Sequence, residues 1–564
     1  MSFIFNKKMC GIWAYFLKKG FKGEIDIDKL FSKFKTIYGR GPDNLNFNYY
    51  KDLFFLGFHR LSIMDTSSNG NQPFSYIYEE KTYICVCNGE IYNAEQLKEG
   101  INSSHLNYEW TSGSDCEVLI PLYILYGSEM VNQLRGVFAL NITIIDADNN
   151  YDTFICRDRI GVRPLFIGLN NGDSNVGFCS EAKGLTDIFD KVEVFRPGCH
   201  VIYHSEQGFL EPFINYYNYE YKLAEQSIQD NRINYIRDMF TKAVNKRLIS
   251  DRPVCALLSG GLDSSLVCSV ACRLLKESEI DLYTYSIGME NSTDEIYAKK
   301  VANFIGSKHT VVNITNEQAL MALKEVIWAT ETFDITTIRA STGQYLISKY
   351  ISENSDFKVV LSGDGSDEVA SGYIYNYLAP SNDDLHKEAI KRVKEIHLYD
   401  GLRADRATSI HGLELRVPFL DSEFVDLYLS IDPKYRMPNK DHMEKHLLRS
   451  AFEGYLPEEV LWRKKEAFSD GISSEEDSWH NVINNYVNNF VTDKEFQDNA
   501  LKYTHCTPKT KEAYFYRKIF DEFFGEEHSS LIPAFWMPNW SKADDPSARE
   551  LKDLYNASKL EVAI

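Results

Sequence analysis

Residues 253–277 read PVCALLSGGLDSSLVCSVACRLLKE. An apolar run suited to a buried parallel strand ends at Leu258, a serine-glycine turn follows, and a helix is expected to open near Asp263. Leu266, Val267, Val270, Ala271 and Leu274 recur with helical spacing, so this helix buries one face and aims its N-terminus at the turn. Unpaired backbone N–H groups and the positive end of the helix dipole make Ser259, Gly260, Gly261, Ser264 and Ser265 a cradle for a pyrophosphate group, with glycine permitting close approach. Asp263, at the start of the helix, can hold a magnesium ion.

The runs at 282–287 and 358–361 repeat the strand pattern and alternate with helical segments, which is the mark of a parallel sheet covered by helices. The second of them leads into LSGDGSDE (361–368), a glycine turn bearing Asp364, Asp367 and Glu368, acids of the kind that bind magnesium beside phosphates. The first turn resembles the pyrophosphate-binding loop of the ATP pyrophosphatase group. It lacks the Lys-Ser/Thr ending of a P-loop, so the resemblance implies ATP with chemistry at its α-phosphate.

Upstream the pattern changes. From Cys10 to about residue 205, short runs such as GIWAYF (11–16), LFFLGF (53–58), TYICVCNGE (82–90) and TFICRD (153–158) alternate with Gly, Asn and Asp turns, predicting a sheet-rich domain. Residues 206–227 keep neither period and are read as a linker; the tail beyond about 475 reads as helices and loops. Two domains suit a chain of 564 residues.

With a formal net charge of −20 and no long Lys/Arg stripe, the chain should not bind nucleic acid. No run approaches the roughly 18 apolar residues of a membrane span, and the opening MSFIFNKK lacks the apolar core of a secretory signal. Eleven scattered cysteines suggest reduced thiols and hence the cytoplasm. Cys85 and Cys87 share one face of a strand with apolar neighbours and read as core thiols rather than metal ligands, and His442 and His446 enclose Met443 where a zinc-protease motif needs Glu.

The sheet-rich domain carries MCGIWAYF (9–16), RGPD (40–43), HRLSIMD (59–65), CNGEIYN (87–93) and SGSDCE (112–117). This set resembles the class II glutamine amidotransferases of the N-terminal nucleophile group, whose α+β fold is an αββα sandwich. The resemblance implies Cys10 as the nucleophile toward the glutamine amide, with its own α-amine, of reference pKa about 7.7 to 8.0, as the base. Asn88 and Gly89 would form the oxyanion hole, Arg60 with the neighbouring Leu61, Ser62, Ile63 and Met64 would hold glutamine at its carboxylate, and Glu90 and Asp115 would face its ammonium.

Both halves together resemble the glutamine-hydrolysing asparagine synthetases, with a glutaminase domain at 10–205 and an adenine-nucleotide α-hydrolase-like α/β synthetase domain at 228–545. The blocks TFDITTIRAST (332–342), YDGLRADR (399–406), HGLELRVPFLD (411–421), EKHLLR (444–449) and WRKKEAFSDGI (462–472) carry the likeness. It implies that Leu257, Ile287, Ser362 and Gly363 contact ATP, that Thr336, Thr337, Arg339, Glu414 and Arg416 lie near aspartate, and that Lys465 stabilises phosphate charge. Asp263 and Asp367 would hold Mg2+, and Asp364 would act in forming β-aspartyl-AMP, from which ammonia displaces AMP. Glutamine, aspartate and ATP are then the partners, and a homodimer is the common family state. A tRNA-modifying adenylating enzyme shares the loop, but the net acidity and the whole N-terminal domain count against it, as the retained Cys10 and Arg60 count against a β-lactam-forming relative.

Two departures from that family stand out. Asp364 replaces the usual Glu, and eight residues precede Met9, although Cys10 can serve as its own base only with a free amine.

Overall fold

The computed structural model describes residues 10–41, 43–172, 174–289, 292–464, 478–541 and 546. Its N-terminal part is built from thirteen strands: β1 (Gly11–Phe16), β2 (Asn44–Tyr50), β3 (Phe54–Arg60), β4 (Phe74–Tyr78), β5 (Lys81–Ile91), β6 (Gly136–Ile145), β7 (Tyr151–Arg157), β8 (Phe166–Leu169), β9 (Val176–Cys179), β10 (Lys191–Val194), β11 (Cys199–His204), β12 (Phe209–Leu210) and β13 (Ile214–Asn215). They form two antiparallel sheets, one ordered β10-β8-β9-β1-β3-β2 and the other β12-β11-β7-β6-β5-β4, with β13 also paired to β11. The last two strands lie inside the stretch read as linker, so the sheet extends beyond the compositional break.

Side-chain alternation explains the layering. Along β1 the even residues Ile12, Ala14 and Phe16 enter one core with Ile84 and Val86 of the facing sheet, while Trp13 and Tyr15 face the opposite side. On the far side of the second sheet, Cys85, Cys87, Phe138 and Leu140 pack against helices Ala94–Asn102 and Leu119–Tyr126. The order is helix, sheet, sheet, helix, and the two cysteines are buried in it as core thiols. Trp13 and Tyr15 share a third core with Leu323 and Ile327 of helix Asn316–Thr330 and with Phe520 of helix Lys511–Phe524, so the two parts of the chain have apolar surface in common.

The second part holds a parallel sheet of β14 (Val254–Leu257), β15 (Tyr283–Gly288), β16 (Lys308–Asn313), β17 (Val359–Leu361) and β18 (Glu414–Arg416), ordered β16-β15-β14-β17-β18. The chain runs outward from β14 to β16 and then returns to the other side of β14, so the order reverses between β14 and β17. In open α/β sheets ligands bind beyond the carboxyl ends of the strands at such a reversal. The two strands that flank it lead into SGGLDSS and SGDGSDE.

β16 and β18 carry no clean apolar run and are not evident in the sequence. Among the described residues no helix is long and apolar enough to cross a membrane.

Candidate active site: a thiol pocket and a two-loop cavity

Cys10 immediately precedes β1, and its even position turns it toward the space between the two sheets, against the core of Ile12 and Ala14. Leu61 brackets the thiol: its N–H donates to Sγ at 3.3 Å and its carbonyl accepts from the S–H at 3.4 Å. Burial pushes the Cys10 thiol up to about 12; the Leu61 contact works the other way, and Glu414 and Glu90 add to the rise. A thiol in that state is protonated in neutral water, so attack requires a base.

Asn88 follows Ile84 and Val86 at the same parity, points between the sheets, and places Nδ2 3.5 Å from Ser180 Oγ. The neighbouring Gly89 is required: a Cβ there would lie 2.3 Å from the Val137 carbonyl. Arg60 donates to the Ser67 carbonyl (2.6 Å), Asn71 Oδ1 (2.7 Å) and the Asp65 carbonyl, and so holds the loop that follows β3. Ser62 N–H donates to Asp43 at 2.9 Å. Leu61 and Ile63 form a small core with Val359, against which Met64 and Val254 pack, so the thiol wall touches the starts of β14 and β17.

Glu90 and Asp115 are both buried carboxyls. Glu90 pairs with Arg416 of the other domain at 3.1 Å, and Asp115 accepts from the Ile91 N–H at 2.6 Å. Burial raises both pKa values, assisted by Glu414 and opposed by Arg416 at Glu90, and opposed by the Ile91 N–H at Asp115.

The second cavity lies where the sheet order reverses. Helix Leu262–Lys276 has Gly261 at its N-cap with no side-chain cap, so its first N–H groups face the turn. Gly260 adopts φ +77°, and a Cβ there would come within 2.5 Å of the Ala298 nitrogen. Ser259 and Ser264 brace the turn with their hydroxyls 3.0 Å apart. Gly363 brings the second turn against this helix start so closely that a Cβ would meet the Ser264 nitrogen at 2.6 Å.

Between the loops the Lys445 ammonium bridges Asp263 (2.7 and 2.6 Å) and Asp367 (2.6 Å). Burial works against that charge, but the two carboxylates outweigh it and raise the Lys445 pKa. Asp364 accepts from the Ser362 hydroxyl and from Arg403 Nη2 at 2.7 Å.

Leu257, Ser259, Gly261, Asp263, Ser264, Ser362, Gly363, Asp364 and Asp367 therefore line one cavity. The Gly260 carbonyl accepts from Arg463, Ser265 Oγ is buried without a hydrogen-bond partner, and Ile287 sits in the sheet core.

Of the five residues expected near aspartate, four pair with other side chains. Thr336 Oγ1 is buried without a partner, and Thr337 donates to Asp334, the N-cap of its helix. Arg339 binds Glu512 at 2.9 and 2.6 Å. Glu414 and Arg416 pair with each other at 2.6 Å and with Arg163 and Glu90 across the domain boundary. Lys465 lies outside the described residues. The cavity wall also carries Gln344, Tyr373, Asp400, Arg403 and Lys445 with Glu368. YDGLRADR and EKHLLR were the visible signal for three of them, without showing which side chains face inward.

The glutamine amidotransferase domain family matches residues 9–207, and the asparagine synthase family matches 235–384 and 377–545. A sheet sandwich with a thiol pocket fused to a parallel-sheet cavity thus places the chain among two-domain glutamine amidotransferases of the ligase class. Glutamine-hydrolysing asparagine synthetases are similar over their full length: that of Mesocricetus auratus is 43% identical over 582 residues, covering 98% of this chain and 100% of its own. Those of Homo sapiens (585 residues, 98% and 100% covered) and Gallus gallus (587 residues, 97% and 100% covered) are each 42% identical. The chain belongs to the family of glutamine-hydrolysing asparagine synthetases.

Proposed function

We propose that the chain makes asparagine from aspartate, taking nitrogen from glutamine and energy from ATP. The aspartate β-carboxylate attacks the α-phosphate to give β-aspartyl-AMP and pyrophosphate; ammonia then displaces AMP. The observation that carries this reading is the union, in one chain similar to such synthetases over its whole length, of a buried thiol with a two-loop cavity at the sheet reversal.

Cys10 supplies the nucleophile of an N-terminal nucleophile site. Among the described residues its thiol is bracketed by the Leu61 backbone, which suits the α-amine of Cys10 as the base, and so requires that residues 1–9 be absent from the active form. Asn88 and the Gly89 N–H would receive the oxyanion. Arg60 would take the glutamine carboxylate by exchanging it for Asn71, and Glu90 with Asp115 would face the ammonium.

Asp263 and Asp367 fit a magnesium ion, since their carboxylates already converge on a single cation, the ammonium of Lys445. Among the described residues no group of three His, Cys, Asp or Glu could hold a metal, so phosphate oxygens and water would complete its shell. When bound, the ion neutralises phosphate charge. Ser259, Gly261, Ser264, Ser362 and Gly363 would cradle the phosphates, and Lys465 would add charge there.

Product analysis with amide-15N glutamine, aspartate, ATP and magnesium tests the reading. It expects labelled asparagine, glutamate, AMP and pyrophosphate in equal amounts; ADP with phosphate, or no asparagine from any nitrogen source, would overturn it.

A further inference from the structure

Residues 533–541 form neither helix nor strand, yet side chains from several separate segments hold them in place. The Trp536 N–H donates to Asp334 at 2.7 Å, and the Ala534 carbonyl accepts from the Tyr399 hydroxyl at 2.9 Å. The Met537 carbonyl accepts from Arg392 at 2.7 Å, and Asn539 donates to Glu388 at 3.1 Å. Asp334 caps helix Ile335–Asn354, which carries Gln344, and Tyr399 precedes helix Asp400–Ser409, which carries Arg403. The segment therefore ties together elements that build the cavity wall.

Its indole reaches a third such element. Trp536 is buried, carries the Arg392 guanidinium 4.7 Å from its ring, and packs on Tyr373 with ring centroids 5.2 Å apart. Tyr375 stacks on the same tyrosine at 5.5 Å. The Tyr373 hydroxyl in turn donates to Glu368 and to Asp400 (3.3 Å), and all three residues line the cavity. Two carboxyls sharing one hydroxyl repel each other, so the position of that hydroxyl decides where both stand.

We infer that Trp536 is a positioning residue of the synthetase cavity. The segment 534–540 straps the wall-bearing elements together, and the indole fixes the Tyr373 ring so that its hydroxyl holds Glu368 and Asp400 in place. Trp536 itself lies outside the cavity lining and acts through Tyr373. The inference rests on the asparagine-forming reading.

The test measures pyrophosphate release by the full chain with aspartate, ATP, magnesium and ammonium chloride, so that the thiol site is bypassed. Glutaminase turnover and a thermal melt are recorded beside it. Trp536→Ala should lower kcat/KM for aspartate by roughly tenfold or more while glutaminase turnover stays at the parent rate. Trp536→Phe keeps a ring against Tyr373 and should recover most of the loss. Tyr373→Phe removes only the hydroxyl and should give a loss comparable to that of Trp536→Ala at the parent melting temperature. The double variant separates positioning from general packing: with Tyr373→Phe present, Trp536→Ala should cost little more. Where Trp536→Ala does not fold, the cycle is run with Trp536→Phe, whose smaller loss should vanish on the Tyr373→Phe background. Losses that multiply in the double variant, or a Tyr373→Phe variant at the parent rate, overturn the inference alone. A parent chain that releases no pyrophosphate with aspartate overturns the reading beneath it as well.

Discussion

Arg40 joins the two domains through Asp405: its guanidinium donates to both oxygens of that carboxylate, at 2.7 and 3.0 Å, while its Nε donates to the Cys10 carbonyl at 2.9 Å. Both side chains are buried, and Glu181 accepts from the same guanidinium at 3.0 Å. Asp405 shares its helix with Arg403, so one rigid element carries a group of the nucleotide cavity and an anchor of the thiol segment. Arg40→Met would leave buried carboxylates unpaired and should cost about 3–5 kcal/mol of stability. Arg40→Lys should recover little, because a point charge cannot reproduce the fork. Chemical denaturation with a glutaminase assay checks this, and a variant of parent stability and parent glutaminase rate would contradict it.

The thiol gives a second prediction. Cys10→Ser should abolish asparagine formation from glutamine and leave formation from ammonium salts near the parent rate, since Cys10 is absent from the two-loop cavity. Alkylation of Cys10, followed by peptide mass, should climb with pH toward about 12 rather than level off near the ordinary 9.0. The sign follows from burial, which favours the neutral thiol. A plateau below pH 9 would contradict this, showing that the pocket stabilises the thiolate. Glutaminase kcat/KM should instead fall as pH drops through about 7.7 to 8.0, where an α-amine base becomes protonated.

Much of this arrangement was legible in the sequence. Three apolar runs and the SGGLDSS turn sufficed for the parallel sheet, whereas Cys10 and Asn88 were expected only from the family resemblance, and the structure adds that alternation along β1 and β5 turns both into the inter-sheet space. β18 was not legible, because Glu414 and Arg416 break any apolar run, and only Arg163 and Glu90 of the other domain neutralise them there. Arg339 sits in a motif block but turns toward Glu512, a partner 173 positions away that no local pattern reveals. A block of sequence identifies a neighbourhood; which side chain faces the cavity is set by long-range pairing.

Lys445 predicts a magnesium effect. Lys445→Met would leave Asp263 and Asp367 facing each other with their mutual charge uncompensated. The variant should melt below the parent, and magnesium chloride should restore part of the loss while shifting the parent little. Thermal melts with and without the ion decide it; equal response of both proteins would contradict the shared-cation reading.

Asp364→Glu restores the residue usual in the family. The Asp364 carboxylate already reaches Ser362 and Arg403, so the extra methylene displaces it by about 1 Å, a shift that can cost roughly a hundredfold where geometry sets the rate. Because the charge and both donors remain, steady-state asparagine formation should stay within about tenfold of the parent, well inside that limit. A loss beyond it would show that the shorter side chain is built into this cavity.

The most direct measurement follows oxygen from the aspartate side chain. Aspartate labelled with oxygen-18 in the β-carboxylate, turned over with glutamine, ATP and magnesium, should deliver label to AMP, because that carboxylate attacks the α-phosphate. Label in inorganic phosphate, with ADP as product, would contradict the account.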